Sequence, residues 1–449
     1  MASKRCAWAA GRASPPSSSA RRKAGRINGV AHKCASAAHR TRGRRHRTAA
    51  GLNHGGDMRD PLDSLNLQLE RLHAHPFYAG RLPRSVASAA EFAERVPLMS
   101  RAELVAEMGK SGYGAFAPPV PPVRVHLTPM GAALVPILHS AADLRAIETA
   151  CGQHLDACGI GPGDVCMVTF GYHLFVAGLF YQSQMEARGV ACIPHGPGET
   201  ERAAQVARQC GVTVLAGNPT HALKLIEAGC PVPRVFFAGG EPFSGNEALY
   251  ARVRAAMPGT LLIDSYSLSE CLPVARTFPG GTGVHVFDEL LHAEVIDPDT
   301  LAPLPDGERG ELVLTHLKKE LQPLVRYRTG DLTVLERTAS VHGRTVSLPR
   351  VVFGRVDSMV KIKGVKVYPS EIKRVLLGVA GATGAYRLVV GAKAHGGDHL
   401  TLLVEGAPTD LDAIAERFKR QTLIHADAIE VVAKLEGAAL VQDQRRETT

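Results

Sequence analysis

Pro323-Leu324-Val325-Arg326-Tyr327-Arg328-Thr329-Gly330-Asp331, with Gly354-Arg355-Val356-Asp357 soon after it, is the part of the chain whose reading decides the rest. Arg326-Tyr327-Arg328 reads as a strand, and Thr329-Gly330-Asp331 as a turn leading out of it. An Asp at a strand end carries only acceptor oxygens, so it can receive both hydroxyls of a ribose. An Arg close by can hold a phosphate or carboxylate with its planar fork. Taken alone, the string fits a β-turn with a surface salt bridge equally well.

Two further stretches shift that balance. Asp264-Ser265-Tyr266-Ser267-Leu268-Ser269-Glu270 lies upstream, and GRVDSMVKIKGVKVYPSEIKRVL occupies 354–376. In this order the three motifs resemble those of the adenylate-forming enzymes, most closely the phenylacetate–CoA ligase family. The resemblance runs from about Leu65 to about Lys434. It implies an α/β fold: a large N-terminal domain, 58–353, with parallel sheets covered by helices and a β-rich subdomain, and a small α+β C-terminal lid, 354–449. The implied reaction joins an aromatic acid to a thiol, coenzyme A, through an acyl-adenylate made from ATP with Mg2+.

The order of elements agrees with this. Val165 to Phe170, Val190 to Pro194, Val212 to Gly217, Arg234 to Ala238 and Leu261 to Asp264 read as strands, with helical stretches between most of them. Such alternation predicts a parallel sheet covered on both faces, with ligands outside the carboxyl ends of its strands. Asp63 to His73 and Ala87 to Arg95 have helical spacing, and Ser100 with Glu103 forms a capping box. Beyond the motif, Tyr386 to Val390 and Leu400 to Val404 pair as strands of the small domain.

By resemblance, Asp331 binds ribose, Tyr266 lies against adenine, Glu270 binds Mg2+, and Ser269 borders the nucleotide. The backbone of Gly239, Gly240 and Glu241 flanks the adenine, where paired glycines permit close approach. Arg355 contacts phosphate or ribose, Asp357 is the hinge, and Lys361 joins them as a catalytic candidate. Tyr172, His173 and Phe175 line the acid pocket, Tyr172 and His173 each offering a polar tip.

Two departures affect the same half-reaction. The family's phosphate loop is rich in Ser, Thr and Gly and carries a Lys, because small residues let N–H groups converge on phosphate oxygens. This chain has Thr128-Pro129-Met130-Gly131-Ala132-Ala133 there, leaving Thr128 and Gly131 as the remaining nucleotide contacts, and Pro129 has no N–H to donate. The family's C-terminal catalytic Lys is also missing: no Lys follows Lys434, and Gln444, Arg445 and Arg446 fall near its place. A member that holds nucleotide or aryl acid as a non-catalytic or partner subunit is the alternative these losses favour.

Composition closes off other classes. Hydrophobic content of 45% and charged content of 21% over 449 residues are those of a globular protein with room for two or three domains. No apolar run approaches the roughly 20 residues of a membrane span. The formal charge of +9 is carried by thirteen Lys and Arg before Asp57, where no acidic residue occurs; without them the body stands at −4. Nucleic acid is therefore not an expected partner; a small aryl acid is, and a homodimer is compatible. The nine cysteines form no CxxC, which suits reduced thiols in a cytoplasm. No zinc is expected, since His285 has only Cys271 near it. Residues 1–56 read as a disordered basic segment. A nucleic-acid arm, a transit peptide, and upstream sequence preceding a start at Met58 all fit it; the last is favoured, because MRDPLDSLNLQLERLHAHPFY begins as the family's proteins begin.

Overall fold

The computed structural model describes residues 61–449 apart from 118, 131–132, 357–359, 364, 368, 377–378, 394–397, 423, 438–439 and 447–449. Five short strands rich in Val, Phe and Ile form the parallel half of a nine-stranded sheet. In spatial order they are Leu261–Tyr266, Val235–Ala238, Val214–Gly217, Val165–Val168 and Ala191–Pro194. Their near-continuous apolar character follows from helices covering both faces. On one face Cys166, Val168, Val214, Ala216, Val235 and Phe237 pack with Phe180, Tyr181 and Met185. On the other, Met167, Leu215, Phe236 and Leu262 pack with the helices Thr200–Cys210, Pro219–Glu227 and Glu247–Ala256. The sheet continues antiparallel through Ala275–Arg276, Val284–Val286, Arg344–Leu348 and Glu336–Val341.

A second sheet has the order Leu291–Ile296, Arg309–His316, Tyr327–Val334, Gly354–Arg355. It corrects the expectation for the motif. Thr329-Gly330-Asp331 does not turn out of the strand; the strand runs through to Val334 with a bulge. Glu311 pairs with Leu332 while Val313 pairs with Arg328, so extra residues are accommodated on the motif strand. Glu311 causes the bulge to hold. Its carboxylate accepts from Gly330 N at 3.0 Å and from Arg328 at 2.6 and 3.0 Å. Gly330 has φ +77°, a conformation glycine adopts without cost.

The expected helices appear at Pro61–Leu72, Ala89–Arg95 and Arg101–Met108, the last with both bonds of the Ser100–Glu103 capping box. The buried Arg326 ties this N-terminal segment to the second sheet: it bonds Ala93 O, Val96 O and Glu294. Residues past the motif form a four-stranded sheet, order Ala428–Val432, Asp398–Gly406, Ala382–Ala392, Val441–Asp443. The helices Pro369–Leu376 and Leu411–Thr422 cover it over a core of its own. Among the described residues no helix is long and apolar enough to cross a membrane. The chain divides into two units, Met1–Gly56 and Asp57–Thr449.

Candidate active site

Three strands meet at the motif. Leu261–Tyr266 delivers Tyr266 and leads to Glu270; Tyr327–Val334 delivers Tyr327 and Asp331; Gly354–Arg355 lies beside it with Asp331 and Arg355 as register partners. Asp331 is 6% exposed. Its Oδ2 accepts from Tyr266 OH at 2.6 Å and its Oδ1 from Arg355 Nη1 at 2.8 Å. Burial raises the Asp331 pKa, and Tyr266 and Arg355 oppose the rise. Burial and the neighbouring carboxylate push Tyr266 well up, so it stays a neutral donor. A side chain at Gly330 would meet the Arg355 guanidinium at 2.7 Å, so the missing Cβ there leaves room for the pair.

Glu270 is 5% exposed, and its Oε1 accepts from Tyr327 OH at 2.8 Å. Its other oxygen accepts no hydrogen bond from the described residues. A buried carboxylate with one anchored and one unanchored oxygen suits a hard cation that bridges phosphates. Among the described residues no group of three His, Cys, Asp or Glu is arranged to hold a metal alone, so a cation here would need ligand oxygens too.

Phe170, Gly239, Gly240 and Ser265 form the adjoining wall. A Cβ on Gly239 would lie 3.5 Å from the Phe170 ring, Ser265 O and Tyr181 OH; one on Gly240 (φ +80°) would meet Asn218 Nδ2 at 2.6 Å. The Glu241 carboxylate is engaged elsewhere: it accepts from Thr220 N at 2.7 Å and Thr220 Oγ1 at 2.9 Å, capping the helix Pro219–Glu227. Only its backbone is left to flank a ligand. Ser269 is half-buried just before Glu270.

The acid-pocket candidates separate. Tyr172 packs on the Cγ side against Gly178, and its hydroxyl is buried without a hydrogen-bond partner among the described residues. Burial, then Cys192, Cys166 and Glu186, raise its pKa. The ring packs against the apolar cluster that holds Cys166 and Phe180. His173 and Phe175 are exposed, Phe175 by 46%. Phe170, which sequence reasoning left as a strand residue, stacks on Tyr181 at 5.0 Å and is nearer the glycine pair than any of the three. The aromatic clustering Phe170-x-Tyr172 was the signal available.

Where a phosphate loop was expected, the strands Arg124–Met130 and Ala133–His139 pair without interruption from Arg124↔His139 to Met130↔Ala133. Thr128 sits inside the ladder opposite Val135 and is 8% exposed. Gly131 lies outside the described residues, as does Asp357. Lys361 belongs to the ribbon Val360–Ile362 with Val365–Val367; its side chain lies outside the described ones. Arg445 bonds Asp443 at 2.6 and 2.9 Å and Asp398 at 3.1 Å, so its guanidinium is engaged within the small domain. Sequence reasoning also passed over Arg101, the first residue of its helix. Its Nη2 donates to Thr329 O at 2.9 Å, and it interacts with Tyr327 and, through charge, with Asp331.

An AMP-binding enzyme family model matches residues 137–316, and an AMP-binding enzyme C-terminal domain model matches 364–439. The phenylacetate-coenzyme A ligase of Aromatoleum evansii is 30% identical over 371 residues, 76% of this chain and 81% of that one. Those of Thermus thermophilus and Escherichia coli are each 33% identical, over 292 and 270 residues. These matches cover 62% and 56% of this chain but 65% and 59% of theirs, so the chain spans less than two thirds of those relatives. Among solved structures, an open conformation of 2-hydroxyisobutyryl-CoA ligase with 2-HIB-AMP and CoA aligns at TM-score 0.72 and 25% identity, covering 85% of this chain and 90% of that one. Apo MatB from Rhodopseudomonas palustris shares the fold at TM-score 0.53 and 19% identity, over 70% and 64%.

Proposed function

Because the chain belongs to the phenylacetate–coenzyme A ligase family of adenylate-forming enzymes, we propose that it activates a carboxylic acid with ATP and passes the acyl group to coenzyme A. The observation that carries this reading is the buried Asp331 carboxylate held by Tyr266 and Arg355, beside the buried Glu270–Tyr327 pair. Asp331, oriented by two donors, accepts the ribose hydroxyls; Tyr266 and the backbone of Gly239 and Gly240 flank the adenine. A carboxylate oxygen of the acid attacks the α-phosphorus, the bond to pyrophosphate breaks, and acyl-adenylate forms. The thiol sulfur then attacks the acyl carbon, its proton is lost, and AMP leaves. Glu270 would hold Mg2+, which neutralises phosphate charge. No enzyme nucleophile is needed; positioning and charge neutralisation supply the rate. Arg101 brings a guanidinium to the same corner. The acid is aromatic on this reading, received beside Phe170 and Tyr172. Residues 354–449 act as a lid with its hinge at Asp357, and the protein works in the cytoplasm.

Two structural observations favour a second reading. Arg124–Met130 and Ala133–His139 pair as a ladder where the resemblance implies a phosphate loop, and Arg445 is engaged by two carboxylates. On this reading the site holds AMP or an acyl-adenylate without efficient adenylation. Calorimetry of the full chain with ATP and Mg2+, with AMP, and with Asp331→Ala as control separates the two. ATP binding that needs Mg2+ and Asp331 is expected for the ligase. AMP binding alone would favour the second reading, and binding of neither would remove both.

A further inference from the structure

We propose that Cys192 is a peroxide-sensitive thiol that closes reversibly onto Cys166 as a disulfide, next to the buried tip of Tyr172. The two cysteines are register partners on neighbouring parallel strands, Val165–Val168 and Ala191–Pro194. Adjacent strands lie about 4.8 Å apart, inside the range of Cα separations that disulfides span. Both side chains face the same apolar cluster: Cys166 lies within it, and Cys192 packs against it half-buried. In-register parallel neighbours also hold their Cβ atoms slightly farther apart than a relaxed disulfide prefers. Among the described residues the strand Ala191–Pro194 is the last of the sheet, so it can close that gap. A bond made this way is strained and readily reduced, as reversible disulfides are.

The thiols differ in a useful way. Cys166 is 0% exposed, and the neighbouring Cys192 thiol, with burial, raises it well above an ordinary thiol. The Cys166 thiol in turn lowers Cys192, against its partial burial. Cys192 is therefore the thiol on the accessible side, with the greater thiolate character. Cys192 Sγ also lies 3.8 Å from Val190 O and 3.9 Å from Gln182 O, contacts that its own S–H makes when protonated.

The oxidant is a hydroperoxide. The Cys192 thiolate attacks a peroxide oxygen: an S–O bond forms, the O–O bond breaks, and the departing hydroxide takes a proton as water. Cys166 sulfur then attacks Cys192 sulfur: an S–S bond forms, the S–O bond breaks, and the hydroxyl leaves as water with the Cys166 proton. Two thiols are oxidised by two electrons and one peroxide is reduced. Because Cys192 and Cys166 are among the groups acting on the Tyr172 phenol, the bond alters the wall beside the candidate acid pocket.

The test is independent of the ligase reading. Native full-length chain is treated with hydrogen peroxide, quenched with N-ethylmaleimide and peptide-mapped without reductant. A Cys166–Cys192 linked peptide is expected, lost on adding dithiothreitol. Cys166→Ser should leave Cys192 as a sulfenic acid trapped by dimedone, and Cys192→Ser should leave Cys166 unmodified. The exposed Cys210 serves as an unpaired control. The proposal is overturned if both cysteines stay alkylatable while Cys210 oxidises, or if the linked peptide forms only in urea.

Discussion

At the scale of single residues, the site is a set of acceptors already held by protein donors. Asp331 takes bonds from Tyr266 and Arg355, and Glu270 takes one from Tyr327. A carboxylate still has acceptor capacity after two bonds, so pre-orientation and ribose binding are compatible. Replacing Tyr266 by Phe removes one bond to a charged group, worth about 1.5–3 kcal/mol. AMP affinity measured by calorimetry should fall roughly tenfold or more in that variant. Unchanged or tighter binding would mean that Tyr266 competes with the ribose instead of preparing its acceptor. The residue types in this set were legible in the sequence, because chemistry selects Asp, Glu and Tyr for these tasks. Glu241 and Arg101 were not. The first turned to cap a helix and the second arrived from 228 residues away, and both depend on contacts no local pattern announces.

At the scale of elements, two pieces of backbone decide how the site works. The bulge opposite Glu311 keeps Asp331 within the strand while permitting Arg355 to sit beside it. The hairpin Arg124–Met130/Ala133–His139 does the opposite, placing paired strands where the resemblance implies a phosphate loop. With no run of Gly, Ser and Thr to break the ladder, the inward N–H groups of the two strands pair across the ladder instead of converging on one point. Inserting a Ser-Gly-Thr-Thr-Gly-Lys loop between Met130 and Ala133 should therefore raise ATP affinity at least tenfold and leave AMP affinity within a factor of two. If ATP binding does not change, phosphate is held by groups elsewhere, with Arg101 the first to replace.

At the scale of the whole molecule, buried histidines link stability to pH. Burial pushes His126 and His292 down to about 4, and lowers His139, His154 and His316 well below the usual range. Their folded pKa values are depressed, so between about 6.5 and 4 the unfolded chain binds more protons. Stability should be complete above pH 6.5 and fall as pH drops toward 4, by up to about 2–3 kcal/mol for each of His126 and His292. Burial also raises Asp264, Glu289, Glu294 and Asp331, whose proton uptake opposes the loss. The last three each face an arginine that limits the rise. Urea midpoints at pH 7.5 and 5 check the balance: a lower midpoint at pH 5 is expected, and an equal or higher one would refute it. By itself the sequence determined the parallel α/β frame, the order of its elements and the chemical types at the candidate site, since hydrophobic period and motif composition are local properties. Only the tertiary structure decided that Asp331 stays in a bulged strand, that the phosphate region zips into a hairpin, that Phe170 and not Phe175 lies at the glycine pair, and that Cys166 meets Cys192. Each of these is a question of register between strands distant in the chain, and register is fixed by how whole faces pack together.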